Sequence, residues 1–202
     1  MPLRGSPVDR SLCYHPRVRI LAFAGSLRSG SLNRKFLDTA IASIGDRAEV
    51  DRLDLRDVAV PVYDGDFEEK EGCPEGARRF KERIGAADAL LISTPEYNHS
   101  IPGGLKNAID WASRPPDNPF RGRLALLMSA SPGMFGGTRG MLALRHVLMA
   151  LFVNVIPNTV HLAHAAGAFD DAGRMKDEKT RSSVDKAVNE LLRIGDALGR
   201  GA

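Results

Sequence analysis

The chain has 202 residues, 43% hydrophobic and 26% charged, the composition of an ordinary globular domain long enough to bury a sizeable core. Its 28 basic and 25 acidic residues are interspersed, so a net charge of +3 and a pI near 9.0 give little ground for nucleic acid, and no basic run or aromatic–basic stripe adds any. Two cysteines, Cys13 and Cys73, make neither a disulfide framework nor a metal-ligand pattern, and residues 1–16 lack the continuous apolar core of a signal peptide or a membrane span. A soluble, cytoplasmic protein with reduced thiols is expected.

Residues 1–16 read as a flexible N-terminal arm and 17–202 as one domain. The near-continuous apolar run 18–24 ends at Gly25, as a central parallel strand covered on both faces would. A Gly- and Ser-rich stretch, 25–33, then leads into a helical pattern through Phe36, Leu37, Ala40, Ile41 and Ile44, closed by Gly45. In 48–55, Val50, Leu53 and Leu55 alternate with charges, which suits an outer strand. The acidic segment 60–75 reads as a surface loop before a helix over 75–84.

Residues 89–92 have strand length, and Pro95, which lacks an N–H and forces Thr94 into extended backbone, ends that strand. The next helix is expected to start near Ser100, with Pro102 in its first turn and a stripe of Leu105, Ala108, Ile109 and Trp111. A buried strand over 123–129, a second Gly-rich loop over 129–138, an apolar helix over 138–151, a last strand over 153–160 and a final helix over 177–198 complete the order. Five strands alternating with helices give an α/β doubly wound parallel sheet with helices on both faces. The informative loops follow the first, third and fourth strands, and they cluster together only in the flavodoxin-like order 2-1-3-4-5.

In the first loop, Gly25 and Gly30 permit tight turns, Ser26, Ser31 and Asn33 supply neutral donors, Arg28 supplies a fixed positive fork, and a helix N-terminus stands behind them. That set suits a phosphate monoester, against the plainer reading of a capped helix with a surface Arg. It is neither a Walker loop nor Gly-x-Gly-x-x-Gly. The second loop joins an aromatic ring, an amide and a carboxylate, and its Pro95, Tyr97 and Asn98 are residue types that suit a flat heteroaromatic ring, against an ordinary turn with an exposed ring. The third, 131–137, has glycines that allow close backbone approach, or is a linker before a helix. His161 and His164 lack further ligands for a metal, a hydrolase elbow Gly-x-Ser-x-Gly is absent, and Asp51 and Asp54 lack the glycine pattern of a dinucleotide fold.

Taken together, Gly-Ser-Leu-Arg-x-x-Ser-x-Asn from Gly25, Pro-Glu-Tyr-Asn-x-Ser-x-Pro-Gly-x-Leu-Lys-Asn-x-x-Asp-Trp from Pro95 and Ser-Pro-Gly-x-x-Gly-Gly from Ser131 resemble the NADPH-dependent FMN reductase family, which includes quinone, azo-dye and chromate reductases. The resemblance covers about 18–160 and implies bound FMN with NADPH or NADH as hydride donor. It implies that Ser26, Arg28, Ser31 and Asn33 hold the FMN phosphate, that Pro95, Glu96, Tyr97 and Asn98 line the isoalloxazine, and that Ser131 and Gly133 approach its other side. It also implies a homodimer or homotetramer with the flavin near the subunit interface, where Glu96, Arg114 and the 136–139 turn are alternative interface residues. The flavin N5 would carry the hydride, so no catalytic side chain and no metal is expected, and kinetics would be ping-pong with a small-molecule quinone, flavin, azo or metal-oxyanion acceptor. A flavodoxin-type electron carrier or a flavin-binding sensor is the competing reading.

Overall fold

The computed structural model describes residues 17–199, so the expected arm over 1–16 lies outside the described residues. Strands β1 (Arg19–Ala24), β2 (Glu49–Leu53), β3 (Ala89–Ser93) and β4 (Leu124–Ala130) form a parallel sheet whose path is β2-β1-β3-β4. The run expected as one fifth strand is two. Asn154–Val155 (β5) pairs with the start of β4 and Val160–Leu162 (β6) with its end. The break falls at Pro157, which has no N–H to give the ladder. The order 2-1-3-4-5 therefore holds, with a sixth strand continuing the last edge.

Helices cover both faces because β1, β3 and β4 are apolar on both. On one face, α1 (Leu32–Ile44) and α6 (Glu178–Gly199) bury Phe36, Leu37, Val184, Val188 and Leu191 against Ile20, Leu91 and Leu126. On the other, α3 (Glu75–Ala86), α4 (Gly103–Ala112) and α5 (Thr138–Ala150) bury Phe80, Leu105, Ile109 and Leu144 against Phe23, Leu90 and Leu127. Phe23 and Phe80 meet edge to face at 5.5 Å.

Two expected boundaries shift. The acidic segment contains a short helix, α2 (Gly65–Glu71), capped by Asp64, whose carboxylate accepts from the Asp66 and Phe67 N–H groups. Its preceding strand of chain is latched to α4: Asn107 accepts from the Tyr63 N–H at 2.8 Å and donates to the Pro61 carbonyl at 2.8 Å, while Trp111 donates to the same carbonyl at 2.9 Å. Arg114, an alternative interface residue, pairs with Glu68 and lies over the Tyr63 ring. Helix α4 starts at Gly103, after Pro102, and Ser100 does not cap it. Ser100 closes a turn with Tyr97, exchanging backbone hydrogen bonds of 2.9 and 3.0 Å.

Candidate functional site

The carboxyl ends of β1, β3 and β4 lie side by side, so the loops that follow them share one edge of the sheet. Gly25 joins the first loop to β3 by donating to the Ser93 carbonyl at 2.9 Å. A Cβ there would lie 2.8 Å from Leu105 Cδ2 and 2.9 Å from Thr94 Oγ1, so glycine is required by packing, whereas Gly30 has open space and an ordinary φ. Ser26 is buried, and its Oγ accepts from the Arg28 N–H at 3.4 Å. Ser31 caps α1 by accepting from the Arg34 N–H. The amides of Ser26, Leu27, Ser29 and Gly30 have no acceptor among the described residues, and the exposed Arg28 has no carboxylate partner among them. Free N–H groups, a helix N-terminus and an unpaired guanidinium are a donor set that fits a phosphate.

Asn33 points elsewhere. Its Nδ2 donates to the Ala130 carbonyl at 2.9 Å, and its Oδ1 accepts from the Ala130 N–H at 2.9 Å and the Ser93 hydroxyl at 3.0 Å. The expected phosphate ligand is thus a brace between α1 and the ends of β3 and β4. Nearby, Arg34 and Arg56 both engage Asp54, and they hold its carboxyl well below the usual carboxylate range, the Arg56 hydrogen bond contributing most.

In the second loop, Pro95 is buried and Tyr97 is 45% exposed. Asn98 and His99 take φ of +48° and +64° between the paired Tyr97 and Ser100, the pattern of a type I′ turn. Glu96 reaches sideways to α5, where it accepts from the Arg139 and Gly140 N–H groups and pairs with the Arg139 guanidinium.

The third loop is folded on its own groups. The Ser131 hydroxyl accepts from the Gly133 N–H at 3.1 Å, the Gly133 carbonyl accepts from the Gly136 and His164 N–H groups, and Met134 and Phe135 stand out at 69% and 53% exposure. With Leu27 at 51% and Tyr97, they give the loop edge an apolar rim. His161 sits behind this loop, within hydrogen-bond distance of Ser129, Thr138 and Thr159, and burial pushes its pKa down. Neither the Glu96 cap nor this histidine cluster has a local signal, because every partner except Thr159 lies more than 20 residues away.

A separate groove of about 570 Å³ runs between α1 and α6, lined by Lys35, Asp38, Arg174, Glu178, Arg181 and Asp185 among others, and includes no residue of the three loops. No three His, Cys, Asp or Glu side chains among the described residues come together to hold a metal, and no described helix is long and apolar enough to cross a membrane.

Residues 18–167 match the sequence model of a family described as NADPH-dependent FMN reductase. The chain belongs to that family. It is an oxidoreductase of the class that works with FMN and a reduced nicotinamide. It is 42% identical over 175 residues to the NAD(P)H-dependent FMN reductase of Pseudomonas aeruginosa, covering 86% of this chain and 93% of that one. It is also 41% identical over 136 residues to the quinone reductase of Escherichia coli, covering 67% of this chain and 71% of the relative. Among solved structures, FerB, a flavoenzyme NAD(P)H:(acceptor) oxidoreductase from Paracoccus denitrificans, superposes with a TM-score of 0.75 at 31% identity, covering 87% of this chain and 96% of that one.

Proposed function

We propose that this family member is a quinone-type reductase that binds FMN across the three loops and takes its electrons from NADPH or NADH by a ping-pong mechanism. Bound there, FMN would supply the redox chemistry that links a reduced nicotinamide to an acceptor using the same opening in turn. Arg28, Ser26, Ser31 and the free amides of the first loop hold the phosphate at the start of α1. Pro95, Tyr97 and Asn98 on one side and Ser131 and Gly133 on the other flank the ring, while Asn33 fixes the strand ends from behind.

The observation that carries the acceptor class is the rim. Leu27, Tyr97, Met134 and Phe135 expose apolar or aromatic surface around the loop edge. The neighbouring cations are committed, Arg28 to the phosphate in this reading and Arg139 to Glu96. Such an opening favours a flat, uncharged acceptor such as a quinone over an azo sulfonate or a metal oxyanion, which would need a free positive partner. The exposed side chains Leu142 and Met149 on α5, followed by Phe152, support assembly as a homodimer or homotetramer through that helix. Sedimentation of a Leu142→Glu, Met149→Glu double variant tests this, and unchanged assembly would reject the α5 face.

The functional test is an anaerobic titration of FMN-reconstituted protein with NADPH, followed by a quinone and, separately, by chromate. Bleaching of the flavin absorbance within seconds and faster recovery with quinone than with chromate is expected. Persistent oxidation of the flavin under NADPH would replace the reductase by the carrier or sensor reading.

A further inference from the structure

Helix α5 begins at a residue that cannot cap it. Gly137 occupies the capping position at φ +83° and has no side chain, so the first-turn N–H groups of Arg139 and Gly140 need an acceptor from another part of the chain. Glu96 is that acceptor. Its Oε2 lies 2.8 Å from the Arg139 N and 3.2 Å from the Gly140 N, and its Oε1 lies 3.2 Å from an Arg139 guanidinium nitrogen. Only 13% of the Glu96 side chain is exposed, so these bonds are largely shielded from water.

Two further contacts make the attachment stiff. At Gly140 the two backbones touch, since a Cβ there would lie 2.8 Å from the Ser100 carbonyl oxygen and 2.9 Å from Glu96 Cα. Arg139 also stacks over the Phe135 ring, with its guanidinium carbon 4.3 Å from the ring centroid. A continuous path therefore runs from the turn that carries Tyr97, through Glu96 and Arg139, to Phe135 on the third loop.

We propose that Glu96 is a positioning residue of the reductase, a carboxylate that locks the 95–100 loop to the 131–139 loop and so fixes the spacing of Tyr97 and Phe135 around the stacking site. This rests on the reading that the flavin ring lies among these loops. The negative charge of Glu96 is answered by the N-terminal end of the α5 dipole and by Arg139. It thus orders both walls without presenting a free anion to a ring that gains negative charge on reduction. Its part is exercised through the loops, and it differs from the direct flavin contact that the resemblance implies.

The experiment compares Glu96→Ala, Glu96→Gln and Arg139→Gln with the unmodified protein, all loaded with FMN, by stopped-flow bleaching with NADPH, steady-state turnover with a quinone and flavin fluorescence titration. Loss of a cap together with its charged pair corresponds to a fall of about tenfold in kcat for Glu96→Ala at saturating FMN, with KM for NADPH changed by less than about threefold. Glu96→Gln keeps a carbonyl oxygen that accepts from the α5 amides, so it should recover at least about a third of the lost kcat, and Arg139→Gln should fall between the two. If Glu96→Ala fails to fold, the other two variants carry the comparison. Turnover per bound flavin equal to the unmodified protein in every variant that folds, with only the melting temperature lowered, would overturn the proposal. So would a Glu96→Gln variant no better than Glu96→Ala. Failure of the unmodified protein to bind FMN or to bleach with NADPH would instead remove the underlying reading, and it is seen before any variant is made.

Discussion

Replacing Asn33 with alanine separates a brace from a cofactor ligand. Asn33 is 3% exposed, and all three of its side-chain hydrogen bonds go to the ends of β3 and β4, at 2.9, 2.9 and 3.0 Å. Alanine leaves the Ala130 N–H, the Ala130 carbonyl and the Ser93 hydroxyl without their partner. An unsatisfied buried group costs about 1–3 kcal/mol, and water entering the small space left behind offsets part of it, so a net loss of about 3 kcal/mol is expected. That is a large fraction of the roughly 5–15 kcal/mol by which a domain is stable, and it corresponds to a melting temperature lower by about 6–12 °C. The assay is urea unfolding of the FMN-free protein, which removes any contribution from ligand binding. Asn33→Asp should do no better, because it keeps the acceptor, loses the donor and adds a buried charge. A loss below about 1 kcal/mol, combined with FMN affinity weakened by more than about tenfold, would refute the reasoning and return Asn33 to the phosphate.

Arg28→Ala should weaken FMN binding by about 10–100-fold, as loss of a charge-assisted contact does, with the deficit shrinking at high salt and the FMN-free melting temperature unchanged. Flavin fluorescence titration at two salt concentrations reads this, and an unaltered affinity would move the phosphate elsewhere. Asp54 has a folded pKa below its unfolded one, so its pairing with Arg56 and Arg34 stabilises fully above about pH 5 and is lost as pH falls toward the folded value. Asp54→Asn should therefore cost on the order of 1 kcal/mol near neutral pH, reduced by partial exposure, and progressively less below about pH 4. A deficit independent of pH would reject the ion pair as its cause. Gly140→Ala should destabilise by about 1–2 kcal/mol despite the better helix propensity of alanine, because the added carbon meets backbone. A urea midpoint equal to or above that of the unmodified protein would mean the two loops have slack.

The sheet was legible because β1, β3 and β4 are short apolar runs that end at Gly25, Pro95 and Ser131, and because α1, α4 and α6 carry helical stripes. Helix α2 buries no residue, so hydrophobic periodicity is silent there, and only the Asp64 cap marks it. The division of the last strand turns on Pro157, which was visible in the chain yet lies inside a segment of otherwise acceptable strand character. In the first loop, the Ser31 cap of α1 follows local chemistry and was readable, whereas Gly25 is held to glycine by Thr94 and Leu105, far along the chain, and Gly30 by no contact. The partners of Asn33 and Glu96 were not, because an amide or a carboxylate beside a loop looks the same whether it faces a ligand or a strand end dozens of residues away.

The broken last strand also bears on how copies of this chain can meet. A sheet edge invites association in proportion to the length of unpaired backbone it offers, and this edge is cut into pieces of two and three residues. The opposite edge, β2, presents Glu49, Asp51 and Arg52, charges that discourage a second sheet from docking there. With both margins poorly suited to strand addition, growth of one sheet into another is disfavoured, and any association of copies would fall to side chains on helices. Contacts between helix faces leave the rotation that relates two copies to decide whether an assembly would close, whereas an unprotected sheet edge would template one strand after another.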